Sequence, residues 1–188
     1  MRVEDFIKAV EEAGFKFITD NITNGKPEVI LNTHALHIFL PKDGSISLED
    51  FIKEQGEKLL QAVMKLREYK EEAKRVPLYE HENLREIIES YIEEFSKTLG
   101  IKPGGISITR MGKSWLRCVN NLFIFSEFLK YLPEELIRHV VACGMCYLAV
   151  KKRGPELQSL LKKLDPDAER HKHMIKVYKV AIERKERL

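Results

Sequence analysis

Six stretches of the chain repeat apolar residues at three- and four-residue steps, the spacing of one helical face, and five shorter runs carry strand chemistry. Val3, Phe6, Ile7 and Val10 form the first helical stripe, with Gly14 as its stop. Phe15 to Asp20, Glu28 to Asn32 and Ala35 to Leu40 are β-branched or apolar runs divided by turn residues, which predicts a small antiparallel sheet. Ser47, with Asp50 three residues on, caps a long helix through about Arg75 whose stripe includes Phe51, Leu59, Leu60, Val63, Met64 and Leu66. Val76-Pro77-Leu78 ends it, because proline disfavours helical geometry in the residue before it. The boundary between two lobes is placed there, giving residues 1–76 and 77–188.

The second lobe opens with a helix marked by Leu84, Ile87, Ile88, Tyr91, Ile92 and Phe95 and closed by Gly100. Ile106 to Arg110 alternates apolar and polar, and Leu122 to Phe125 is apolar, so two or three strands should flank Trp115. Leu132 to Arg153 then reads as a buried helix: Pro133, Glu134 and Glu135 suit its start, and Lys151, Lys152 and Arg153 suit its end. Leu136, Ile137, Val140, Val141, Met145 and Leu148 recur along it, while Ala142, Cys143, Gly144 and Cys146 fill the rest of its circumference. A membrane span would need about twenty predominantly apolar residues, and Arg138, His139 and the charged ends interrupt this one. Pro155 starts a short helix, and Asp165-Pro166-Asp167 caps a last one with Met174, Val177, Tyr178, Ala181 and Ile182 inward. No internal sequence repeat is visible. The expected class is α+β: a small antiparallel sheet with a long helix, followed by a lobe of helix, short sheet and central helix.

At 188 residues the chain has enough length to bury a substantial core. Lys and Arg number 32 against 29 Asp and Glu, so whole-chain charge selects no partner. From Lys151 onward, however, twelve Lys or Arg face six Asp or Glu, a candidate footprint for nucleic acid. The start is amphipathic and acidic, unlike a secretion leader, and three cysteines do not make a disulfide framework. A cytoplasmic protein is expected, with no membrane partner.

Leu132 to Leu148 resembles the active-site helix of the YgjP-like family of zinc metallopeptidases, zincin-like relatives of the SprT domain, where a Pro-led helix carries His-Glu-Leu-Cys-His-Leu. Those six places hold Cys143, Gly144, Met145, Cys146, Tyr147 and Leu148 here. Upstream, Arg110, Lys113, Trp115 and Cys118 resemble the family's Arg-Met-Lys-x-x-Trp-Gly-x-Cys signature, with Leu116 where the family has Gly. The resemblance covers residues 27–182 loosely and 106–166 most specifically. It implies a zincin-like lobe, with a third His ligand falling near Arg153 and Gly154.

The zincin mechanism needs two His one turn apart to grip Zn²⁺ and a Glu between them to take a proton from the bound water. Cys143 with Tyr147 is a poor clamp, Gly144 removes the base, and Arg153 repels a divalent ion. No cofactor is therefore expected, and Cys143, Gly144, Tyr147 and Arg153 read as vestiges of a lost catalytic site. Two alternatives use residues still present. His139, Cys143 and Cys146 lie on adjacent parts of one helix face and, joined by Cys118, would make a structural zinc site. Cys143 with His139 is also a conceivable nucleophile and base for a hydrolase, although burial in mid-helix predicts an inert thiol.

His139 itself reads as a hydrogen-bonded residue of the helix surface, and His171 and His173, two apart and so not on one helical face, as solvent-facing, with the cleft as the alternative for one of them. Lys113, Trp115 and Arg117 are candidate cleft contacts for a peptide or nucleic-acid strand, with core filling as Trp115's plainer role. The function expected is a catalytically inactive binding or scaffolding module whose partner is a protein segment in the cleft or a nucleic acid on the basic tail.

Overall fold

The structure, a computed structural model, describes every residue except Asn24, Lys113, Arg153, Arg187 and Leu188. It divides into two compact units, Met1–Arg75 and Val76–Leu188.

In the first unit, α1 (Val3–Glu12) buries Phe6 and Val10 and ends before Gly14, whose φ of +85 is a backbone state that side chains resist. Strands β1 (Lys16–Ile22), β2 (Glu28–Leu31) and β3 (Ala35–Pro41) form a sheet in the order β1-β3-β2. The sheet is mixed, where strand chemistry alone predicted antiparallel pairing throughout. β2 runs antiparallel to β3, turning at Asn32, whose Oδ1 accepts from the backbone N–H of His34 and Ala35 at 2.8 and 2.9 Å. β1 lies parallel to β3 on its other side. Five residues separate β1 from β2, enough to step over a strand about 4.8 Å wide, and the two strands are not neighbours in the sheet. α2 (Leu48–Glu72) starts where the Ser47 hydroxyl accepts from Asp50 N–H at 3.1 Å, and it buries Ile52 and Val63 in a core shared with Phe6, Val10, Leu36 and Ile38.

The second unit begins, after an extended connection, with α3 (Leu84–Leu99), which ends at Gly100 in the left-handed region. β4 (Gly105–Thr109), β5 (Leu116–Val119) and β6 (Leu122–Ser126) form a sheet in the order β4-β6-β5. β5 and β6 meet at Asn120 and Asn121, both with positive φ, as a tight hairpin of matching twist requires. A 3₁₀ turn (Glu127–Tyr131) leads to α4 (Glu134–Val150), followed by α5 (Pro155–Leu164) and α6 (Ala168–Glu186). No internal repeat is legible in the residues, but one recurs in the topology. Each unit runs helix, three strands, helix, with the first strand parallel and the second antiparallel to the third.

α4 organises the second unit. It packs against α3, α5, α6 and β5, and Leu136, Ile137, Val141, Ala142, Met145 and Cys146 have no solvent exposure. Each large apolar side chain so buried contributes about 1.5–3 kcal/mol, which makes this helix a rigid support for what it carries. Arg138 pins its neighbours: the guanidinium lies 4.8 Å from the centre of the Phe95 ring and donates to Glu94 Oε1 at 2.8 Å on α3. It also donates to the Leu164 carbonyl at 3.0 Å, satisfying a group that the end of α5 would otherwise leave open. Among the described residues no helix is long and apolar enough to cross a membrane.

Candidate functional site

A cleft of about 910 Å³ runs between β5 and the helices α4, α5 and α6. The segment from Ser114 to Val119 forms one wall, and His139, Val140, Cys143, Gly144 and Tyr147 of α4 form the floor. Leu157, Gln158 and Ile175 complete the opposite side. Trp115 packs on the apolar core and also lines the cleft. Arg117 is exposed at the same wall, while Lys113 and Arg153 lie outside the described residues.

The floor is closely packed at Gly144. A methyl group added at Gly144 would lie 2.4 Å from Leu116 Cδ2, closer than such atoms approach, and 3.3 Å from the Phe123 ring, a tight contact. Leu116 thus occupies the space into which a longer side chain at position 144 would grow. Cys143 faces the cleft with its thiol pushed up to about 12 by burial, with the charges of Cys146 and Asp165 adding to it. Tyr147, one turn on, is 41% exposed. Zinc at the place the family resemblance implies would have to be held by this thiol and this phenol, and the donor set does not fit.

The polar centre of the unit lies one turn earlier on α4. Asp165, between α5 and α6, is 2% exposed, and its Oδ2 accepts from His139 Nδ1 at 2.5 Å and from His171 Nδ1 at 2.9 Å. Burial pushes the Asp165 carboxyl upward, but the hydrogen bonds from His171 and His139 outweigh it and hold the group below its ordinary 3.8. A carboxylate offers no proton, so both imidazoles donate from Nδ1 and present Nε2 as an acceptor. His171 Nε2 accepts from Arg170 at 3.0 Å, and His139 Nε2 stands 3.6 Å from Cys143 Sγ. Burial also holds His139 below its ordinary 6.5, against the pull of Asp165, so a neutral ring is the resting form.

His139 and His171 are 6% and 7% exposed: His139 has the hydrogen bond expected of it but not the expected place at the helix surface, and His171 does not face solvent. His139 sits next to a charged Arg138, yet α5 and α6 close over it. The signal for His171 was present: it lies three and seven residues before Met174 and Tyr178 of the inward stripe. Asp165 was missed because Asp-Pro-Asp reads as a helix cap, and nothing local tells which way its carboxylate turns.

His139, Asp165 and His171 are the one group of three metal-capable side chains whose donor atoms converge among the described residues, all within 4.8 Å of one another. Two ligands on one tetrahedral zinc lie roughly 3.3 Å apart. The observed N···O separations of 2.5 and 2.9 Å are those of shared protons. Of the four residues weighed as a zinc set, Cys143 and His139 touch, Cys118 lines the cleft, and Cys146 is fully buried.

No curated protein matches the chain. The family model of the YgjP-like metallopeptidase domain matches residues 7–178, taking in the sheet of the first unit as well as the cleft of the second. That span covers nearly the whole sequence, and the chain belongs to the YgjP-like metallopeptidase family.

Proposed function

We propose that this chain is a binding protein on a metallopeptidase frame, which holds an extended protein segment in the cleft and performs no zinc-dependent hydrolysis. The observation that carries this reading is the contact between Leu116 and Gly144. The general base of a zincin would stand at Gly144, and the Leu116 side chain closes the space it needs.

The choice of an extended peptide rests on β5. It is an edge strand paired only to β6, it forms the wall of the cleft, and a sheet edge takes an added strand through backbone hydrogen bonds. Exposed Val119 and Tyr147 supply apolar surface beside it. Nucleic acid is disfavoured because the basic tail is partly neutralised: Arg170 pairs with Glu135, Lys172 with Glu169 and Lys185 with Glu80. The cytoplasm, where the three free thiols would persist, is the compartment assigned.

The test takes purified protein loaded with zinc, dialysed, and mixed with an unfolded polypeptide such as reduced, alkylated casein. The expected result is no bound zinc at Cys143, no chelator-sensitive cleavage, and slowed amide exchange across Leu116–Val119 when the polypeptide is present. Cleavage that a chelator abolishes would overturn the reading, as would exchange at β5 that ignores the polypeptide.

A further inference from the structure

The cleft holds an arrangement that neither binding nor the lost zinc chemistry uses. Cys143 Sγ lies 3.6 Å from His139 Nε2, and His139 Nδ1 lies 2.5 Å from Asp165 Oδ2. The nucleophile stands one helical turn from its base, so the backbone of α4 fixes their separation, and a carboxylate from outside the helix fixes the tautomer.

We infer that Cys143, His139 and Asp165 form an acyl-accepting thiol site, which takes the carbonyl of an ester, thioester or amide bearing an apolar acyl group. In the step, the Cys143 S–H proton passes to His139 Nε2 and the sulfur electron pair forms an S–C bond to the carbonyl carbon. The bond to the leaving group then breaks, and that group departs with its electron pair and takes the proton from the His139 imidazolium, so a thioester on Cys143, a neutral His139 and a free alcohol, thiol or amine are left. Cys143 and His139 are the catalytic residues, and Asp165 is a positioning residue that acts through His139.

Three features support the site. The thiol is protonated at rest because of its burial, so it ionises only with a base in contact, and the neutral His139 ring presents its lone pair there. Cys143 is partly exposed and lies on the cleft floor, with Leu116, Val140, Leu157 and Ile175 as apolar walls for the acyl group. Gln158 lines the same cleft and carries amide N–H groups suited to the carbonyl oxygen as it gains charge. This goes beyond the binding reading and does not depend on it.

The full chain is treated with p-nitrophenyl acetate, and the adduct is located by intact mass and peptide mapping. The expected result is one acetyl group on Cys143, formed at least about tenfold faster than on Cys118, which opens to the same cleft without that base. His139→Ala slows acetylation of Cys143 about 100-fold, and added free imidazole restores part of the rate. Asp165→Asn slows it in the same direction with Cys118 unchanged. The proposal fails if wild-type Cys143 reacts no faster than Cys118, a comparison that needs no variant to fold. It also fails if His139→Ala leaves the rate intact or if imidazole does not restore it. Chelator-sensitive casein cleavage would remove the binding reading and leave this result untouched.

Discussion

Asp165 Oδ2 accepts the Nδ1–H of His139 at 2.5 Å although the two residues are 26 apart in sequence and lie on different elements. One buried carboxylate thereby ties α4 to the junction of α5 and α6, and through His171 to α6 itself. Burying a charge is costly unless it is paired, so both imidazole donors are needed to keep it ionised.

Removing that charge should loosen the second unit. Asp165→Asn keeps one side-chain oxygen in reach of both imidazole donors but removes its charge, so both hydrogen bonds lose their charge-assisted strength. The expected cost is about 1–3 kcal/mol. Urea titration followed by the fluorescence of Trp115, the single tryptophan of the chain, reads the unit directly. A variant as stable as the parent would show that the shared acceptor contributes nothing.

Mild acid should weaken the same unit. Burial holds His139 below 6.5, so the unfolded chain takes up its proton first as pH falls. Its contribution is complete above about pH 6.5 and is lost as pH drops through the folded value. Asp165 works in the same sense further down, its contribution present above 3.8 and lost below its folded value. The groups facing His139 are Asp165, His171 and Cys143, with Glu169 more distant. The urea midpoint should fall between pH 7.5 and 5.5 in the parent and fall less in His139→Gln.

Gly144 and Leu116 should be energetically coupled. Gly144→Ala places a methyl 2.4 Å from Leu116 Cδ2, and overpacking of that kind costs about 1–3 kcal/mol. In a Leu116→Ala background the same change should cost less, by an interaction energy of at least about 0.5 kcal/mol in a double-mutant cycle. Additive effects would mean the two side-chain positions do not compete for one space.

Arg138 should resist conservative replacement. Arg138→Ala loses two hydrogen bonds and the stacking on Phe95, about 1–3 kcal/mol in all. Arg138→Lys should recover less than half, because one ammonium does not span both the Leu164 carbonyl and Glu94 while covering a ring. Thermal melting of the three proteins decides it.

Much of the second unit was legible before any coordinates. The Pro133 start, the all-round apolar pattern of α4 and the stripes of α3 and α6 are local signals, and local signals set helices. The pairing of His139 with Cys143 was legible too, since i and i+4 share a face. What the sequence hid was long-range: the parallel partner of β1, the inward turn of Asp165, and the burial of His139 beneath α5 and α6. Each depends on which elements meet, and no residue within a few positions of Asp165 or His139 records that.

The Leu116 and Gly144 contact also makes two distant positions of the chain interdependent: a larger residue at 144 meets Leu116, and a smaller one at 116 opens a hole above Gly144, so neither position is free to change by itself.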